Sequence, residues 1–204
     1  METVKDLDAT LITNLLPVRL TSVVTRGFGR GSKDLGIPTA NICRKHLQCS
    51  ISFDELPCGI YWGYARIIHT MKDLDQNEEE VCRSLSSLPS VDRVYKAAVS
   101  IGYNPVYGNK EKTIEPHLIA SSDHPMRQSS ICQETQFSDF YNDRIRLSIV
   151  GYLRPELPFE GIDKLIDAIK QDIVQTERLA DESGHQSTHE KQWVGSDHDF
   201  LFNF

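Results

Sequence analysis

Apolar and polar positions alternate in short runs along this chain, most of them too brief for helices and bounded by turn-forming residues. The first, Val18-Arg19-Leu20-Thr21-Ser22-Val23-Val24-Thr25, is rich in β-branched side chains and predicts a strand. Residues 37–42 are short and apolar enough for a second, with Pro38 at its start or on a sheet edge because proline cannot donate to a ladder. Runs at 59–68, 94–103, 113–120 and 144–153 follow, each bounded by Gly, Pro, Asn or Asp. The pattern therefore predicts about six strands. No helical period separates them, so parallel crossovers are unavailable and an antiparallel sheet remains. Closure into a small barrel would remove its exposed edges. One helix stands out late in the chain, where Ile162, Leu165, Ile166, Ile169 and Ile173 recur at helical spacing and should pack on the barrel.

Two polar segments, 71–92 with its acidic run Glu78-Glu79-Glu80 and 121–136 with Pro125, read as loop insertions. From residue 181 the chain is polar and His-bearing and ends Asp199-Phe200-Leu201-Phe202-Asn203-Phe204. That tail reads as a partly ordered terminus whose aromatics touch the domain surface, with a partner-binding peptide as the alternative. The division expected is an extension at 1–16, a domain at 17–182 and a tail at 183–204.

Composition narrows the partners. A chain of 204 residues with 39% hydrophobic content can bury one substantial core and is short for two domains. A formal charge of −7 argues against nucleic acid or an acidic membrane surface, either of which needs a basic field. No apolar run approaches the roughly 20 residues of a membrane span, and the N-terminus lacks a signal pattern, so a cytoplasmic protein is expected. Five cysteines (Cys43, Cys49, Cys58, Cys82, Cys132) form an odd set without a C-x-x-C pair and read as reduced thiols.

Against this acidic background, residues 25–41 pack four glycines and three cations between two strand-like runs. Glycines let backbone approach an anion, Arg30 and Lys33 supply charge for phosphate oxygens, and Thr39 and Asn41 offer hard oxygens for magnesium. A triphosphate suits this mixture. The run matches neither G-x-x-x-x-G-K-[ST] nor G-x-G-x-x-G, so P-loop and Rossmann folds are not indicated, and protein-kinase signatures are missing. On its own such a run is more often a mobile surface hairpin.

Further motifs follow in order: Ala98-Val99-Ser100-Ile101-Gly102-Tyr103-Asn104-Pro105, the strand around Glu115, Asp139-Phe140-Tyr141, and Ile149-Val150-Gly151-Tyr152-Leu153-Arg154-Pro155-Glu156. With the glycine loop and its Pro-Thr-Ala-Asn, they make a combination that resembles riboflavin kinase in its eukaryotic stand-alone form, from about residue 17 to 173. The resemblance implies a mainly β fold, a six-stranded antiparallel Greek-key β-barrel with the C-terminal helix packed on it. It also implies transfer of the γ-phosphate of MgATP to the 5′-hydroxyl of riboflavin, giving ADP and FMN. Mg2+ is the expected ion, with Zn2+ or Mn2+ as alternatives, and a monomer is expected.

Residue by residue, the resemblance makes Glu115 the general base, where the bland reading is a solvated glutamate beside Lys112. It assigns Thr39 and Asn41 to the metal; two apart in an extended segment, they project to one face. Otherwise they are an Asn turn and a core-facing Thr. Gly27 and Lys33 match nucleotide contacts, as does Thr39 beside the ion, while Arg30 is a phosphate contact by charge alone. Tyr141 matches a position near adenine, its ordinary alternative being core packing. Arg154 and Phe159 match flavin-side positions, and Arg154 otherwise makes only a surface ion pair.

The chain departs from the family pattern at Asn142, where Gly is frequent, at Ala120, where a histidine is common, and at Leu157, where a lysine can stand. Asn tolerates left-handed backbone angles, so the turn can survive. His117 is more simply a structural histidine than a relay beside Glu115, and His185 and His189 lack a nearby third ligand. Two readings of another class remain at this point: a flavin-binding barrel without turnover that serves as carrier or scaffold, and an interaction module acting through the tail.

Overall fold

The structure is a computed structural model, and it describes residues 9–26, 37, 39–68, 94–103, 111–119, 140–182 and 184–196. Its elements are α1 (Ala9–Leu15), β1 (Val18–Thr25), β2 (Asn41–Ile42), β3 (Gln48–Cys49), β4 (Gly59–Ile68), β5 (Tyr95–Tyr103), β6 (Lys112–Ile119), β7 (Arg144–Arg154), α2 (Ile162–Glu182) and α3 (His185–Gly195), with short 3-10 turns at Arg44–His46 and Phe53–Glu55.

Every strand pairing is antiparallel, and the order is β2-β1-β7-β4-β5-β6, with β3 added beside β1. Within that order β7 returns to lie beside β4, outside the β4-β5-β6 meander, which is the Greek-key arrangement. The Ala40 N–H donates to the Pro116 carbonyl at 2.9 Å, so the segment entering β2 meets β6 and the barrel nearly closes. Closure satisfies backbone groups that an edge would leave open.

The alternating pattern of β1 sends Val18, Leu20 and Val24 inward, where they meet Tyr61, Val99, Ile101, Ile114, Leu147 and Ile149. β4 is buried on both faces because helices cover its outer side. Trp62 and Tyr64 there pack against Val194 of α3 and Leu179 and Ala180 of α2. Farther along the outer face, Ile166, Ile169 and Ile173 of α2 cover Ala98 and Ile119 of β5 and β6. The helix thus lies where its stripe predicts, with one exception: Ile162 in its first turn is 62% exposed.

The sequence reading did not foresee α1, whose Ile12 is fully buried in the core, or β3, and three further features differ from it. Only 41–42 of the expected second strand form a ladder, since Ala40 bonds across the barrel to Pro116 instead. The predicted helix continues to Glu182, held by Leu179 and Ala180 on β4. Residues 185–195 of the polar tail form α3, whose inward positions are Ser187, Glu190 and Val194. These recur at helical spacing, but two of the three are polar and give no apolar period.

Residues of both expected insertions and the terminal aromatics lie outside the described residues, as do Cys82 and Cys132; Cys43, Cys49 and Cys58 are free thiols. Among the described residues no helix is long and apolar enough to cross a membrane.

Candidate active site

One outer stretch of the barrel gathers several of the residues singled out by sequence. Ala40 and Ile42 turn into the core, which leaves Thr39 and Asn41 on the opposite, half-buried face. The Ala40–Pro116 hydrogen bond sets this segment beside the residue that follows Glu115. Ile114 and Leu118 face the core, so Glu115 and His117 share the outer face of β6. His117 is buried, as a structural histidine would be.

Glu115 has a local partner: the Thr113 hydroxyl donates to its Oε1 at 3.2 Å. Across the ladder Glu115 opposes Ser100 and Thr113 opposes Gly102. A second carboxylate enters here. An ideal Cβ on Gly102 would overlap both carboxylate oxygens of Glu156, so Glu156, just beyond β7, reaches over the bare backbone of β5. Burial raises the Glu156 pKa, the Glu115 charge raises it further, and Arg154 and a Ser100 hydrogen bond pull it down. Sequence reasoning gave Glu156 no role, because only the fold brings β5, β6 and the end of β7 together.

At the mouth where β1 ends, Arg26 stacks on the Tyr141 ring, 4.8 Å from its centroid. Tyr141 also packs against the core, so its bland reading describes part of its environment. Asn142 has φ 69°, the left-handed value that glycine usually takes, and its N–H donates to the Val24 carbonyl at 2.9 Å. The turn survives the replacement. Gly27, Arg30, Lys33 and Ala120 lie outside the described residues.

Arg154 makes more than a surface pair. Its Nε and Nη2 donate to Asp172 of α2 at 2.8 and 2.6 Å, and Nη1 donates to the Pro155 carbonyl at 3.1 Å. Asp172 is nearly buried, and the Arg154 guanidinium lies 5.6 Å from the centroid of the Phe159 ring. Arg154 and Phe159 are therefore one stacked unit fixed to α2. Leu157 is exposed beside them. His185 and His189 are exposed on α3, and no cluster of three His, Cys, Asp or Glu suited to a metal occurs among the described residues.

Comparison with known proteins agrees with this architecture. The family model for flavokinase, described as riboflavin kinase, matches residues 15–180. A riboflavin kinase of Aspergillus fumigatus is 38% identical over 160 residues, covering 76% of this chain and 72% of its own. One of Mus musculus is 37% identical over 174 residues, covering 83% of this chain and 85% of its own. The fold matches the crystal structure of riboflavin kinase from Trypanosoma brucei with a TM-score of 0.52 at 17% identity, over 91% of this chain and 90% of that one. These matches define a β-barrel phosphotransferase. The chain belongs to the riboflavin kinase family, enzymes that phosphorylate riboflavin to FMN at the expense of ATP.

Proposed function

We propose that Glu115 is the general base of this riboflavin kinase, taking the proton of the riboflavin 5′-hydroxyl as that oxygen attacks the γ-phosphorus of ATP. The observation that carries the reading is the Ala40–Pro116 hydrogen bond, which ties the Thr39–Asn41 segment to the strand bearing Glu115. Phosphoryl transfer needs positioning and charge more than covalent help, so nucleotide and acceptor groups must meet across one short distance.

Thr39 and Asn41 fit a magnesium site. Both present neutral oxygens on one face, and Mg2+ commonly takes few protein ligands, completing its shell with water and phosphate oxygens. Bound there, the ion would neutralise charge on the β- and γ-phosphates, and Mn2+ or Zn2+ are the candidate substitutes. Gly27, Arg30 and Lys33 are assigned to the phosphates, and Tyr141, with Thr39, to the rest of the nucleotide.

Arg154 and Phe159 are assigned to the flavin. The bidentate bond to Asp172 supports a particular form of this role: the guanidinium is spent on α2, so it steadies the Phe159 ring as a wall of the pocket. The kinase domain is assigned to residues 17–182, and the protein is assigned as a cytoplasmic monomer.

A riboflavin and MgATP assay tests the assignment. Glu115→Gln keeps the shape of the side chain but cannot accept the proton, and kcat is expected to fall by roughly 10²–10⁴-fold. Full kcat in that variant would remove Glu115 as the base.

A further inference from the structure

We infer that Ile37 is a positioning residue for the metal: seated beneath α2 in a cluster with Ala98, Ile119 and Ile173, it sets the place of Thr39, whereas the sheet sets the place of Asn41. The inference rests on Thr39 and Asn41 being the magnesium ligands.

Ile37 and Ala40 are buried on opposite sides of the barrel wall. Ile37, 2% exposed, joins Ala98 of β5, Ile119 of β6 and Ile173 of α2 outside the barrel, with Ile166 and Ile169 packed against this cluster. Three residues later Ala40 lies in the inner core with Val24, Ile114 and Leu118, and its N–H is bonded to the Pro116 carbonyl. The chain therefore crosses the wall between 37 and 40, and Thr39 stands in the crossing. An apolar side chain fixes one end of it and a backbone hydrogen bond the other. Asn41 is held differently, because it pairs with Thr25 in the β1–β2 ladder and is followed there by the Val24–Ile42 pair. Its place needs no help from Ile37.

Placement outweighs charge at such a site. Thr39 and Asn41 are neutral, and Mg2+ holds its ligands at about 2.1 Å in near-octahedral order, so a displaced oxygen is a poor ligand. Losing the anchor next to Thr39 should weaken the ion's hold through that residue alone. Asp172, one position before Ile173 on α2, holds Arg154 through bonds of its own. Truncating Ile37 leaves those bonds in place, so the flavin side should not change.

The test has a readout that needs no turnover. ADP is titrated calorimetrically into the full chain with Mg2+ and again with EDTA, and the ratio of the two dissociation constants measures what the ion adds to nucleotide binding. In Ile37→Ala that gain should shrink about threefold to fivefold, while Kd for ADP in EDTA and KM for riboflavin stay within about twofold. The Mg2+ concentration for half-maximal rate should rise by the same factor. Ile37→Val, which keeps the branched shape, should shift the gain about twofold in the same direction and carries the test should the larger truncation not fold. Val194→Ala, in the separate cluster between α3 and β4, lowers stability elsewhere and should leave the gain at its wild-type value.

Adding Ile37→Ala to Thr39→Ala should change little, because the residue it positions no longer offers an oxygen, whereas with Asn41→Ala the two factors should multiply. An unchanged gain in Ile37→Ala, or in Ile37→Val where only that variant folds, overturns the inference. So does an equal loss in Val194→Ala, or multiplication with Thr39→Ala. Thr39→Ala, assayed alone, separates the cases: an unchanged gain there removes the metal assignment and the inference with it, whereas a reduced gain beside an unmoved Ile37→Ala removes only the role of Ile37.

Discussion

Arg19 on β1 and Glu190 on α3, 171 positions apart, are joined by two hydrogen bonds of 2.8 Å each. Glu190 is 2% exposed and accepts a third bond from the Ser148 hydroxyl at 2.7 Å. The same guanidinium stacks on Trp193, so the pair pins the last described helix to the barrel wall. Glu190→Ala would leave Ser148 buried without this acceptor and Arg19 without its partner, a loss of roughly 3 kcal/mol by equilibrium unfolding. A change under about 0.5 kcal/mol would mean that the helix is held by its apolar contacts alone.

The same pair gives a pH dependence with a definite sign. Burial raises the Glu190 pKa, but hydrogen bonds from Arg19, Ser148 and His189 together with the Arg19 charge outweigh it, and the net shift is downward from 4.5. A depressed carboxylate stabilises the fold fully above its unfolded pKa, and this contribution disappears as pH falls through the folded value. Unfolding midpoints measured between pH 6 and pH 3 should therefore drop more steeply below about pH 4.5 in the wild type than in Glu190→Gln. Parallel curves would contradict the assignment.

Gly63 sits at a register shift between β4 and β7, where a Cβ would overlap the Ser148 carbonyl oxygen. The obstruction is backbone, fixed by the ladder on both sides, so it cannot swing away as a side chain end can. Gly63→Ala should cost about 2–3 kcal/mol in denaturant unfolding. Retained stability would show that the bulge can open.

The barrel was legible because strands carry their own signal. The expected ranges 18–25 and 59–68 are those of β1 and β4, and the absence of helical period between strands correctly excluded parallel crossovers. Elements held by polar tertiary contacts were not. Nothing local in Ser187, Glu190 and Val194 announces a docked helix, because the partners that make Glu190 buriable, Arg19 and Ser148, belong to strands far away in sequence. At the site, motifs named Glu115 and Arg154, whereas Asp172 and Gly102 acquire meaning only through contacts made after folding.

Asp172 offers a functional test of the Arg154–Phe159 unit. Asp172→Asn keeps the shape but removes the charge that receives Nε and Nη2 of Arg154, freeing the guanidinium and the ring stacked on it. If the unit forms a wall of the flavin pocket, KM for riboflavin should rise about tenfold, corresponding to about 1.4 kcal/mol, with KM for MgATP unchanged. Equal rises in both constants would point to general loosening of α2.

Magnesium dependence tests the other side of the site. Thr39→Ala and Asn41→Ala each delete one neutral oxygen from the face beside Glu115 while leaving Ala40 and its bond to Pro116 in place. If Thr39 and Asn41 hold the ion as proposed, losing one should raise the Mg2+ concentration for half-maximal rate by about tenfold, and the double variant should lose more than either alone. Flavin binding, followed by fluorescence quenching without nucleotide, should be unchanged if the proposed flavin wall of Arg154 and Phe159 is right, because those residues belong to β7 and the segment entering α2. An unaltered Mg2+ titration in both single variants would move the ion away from Thr39 and Asn41 and leave those residues a structural role at the barrel seam.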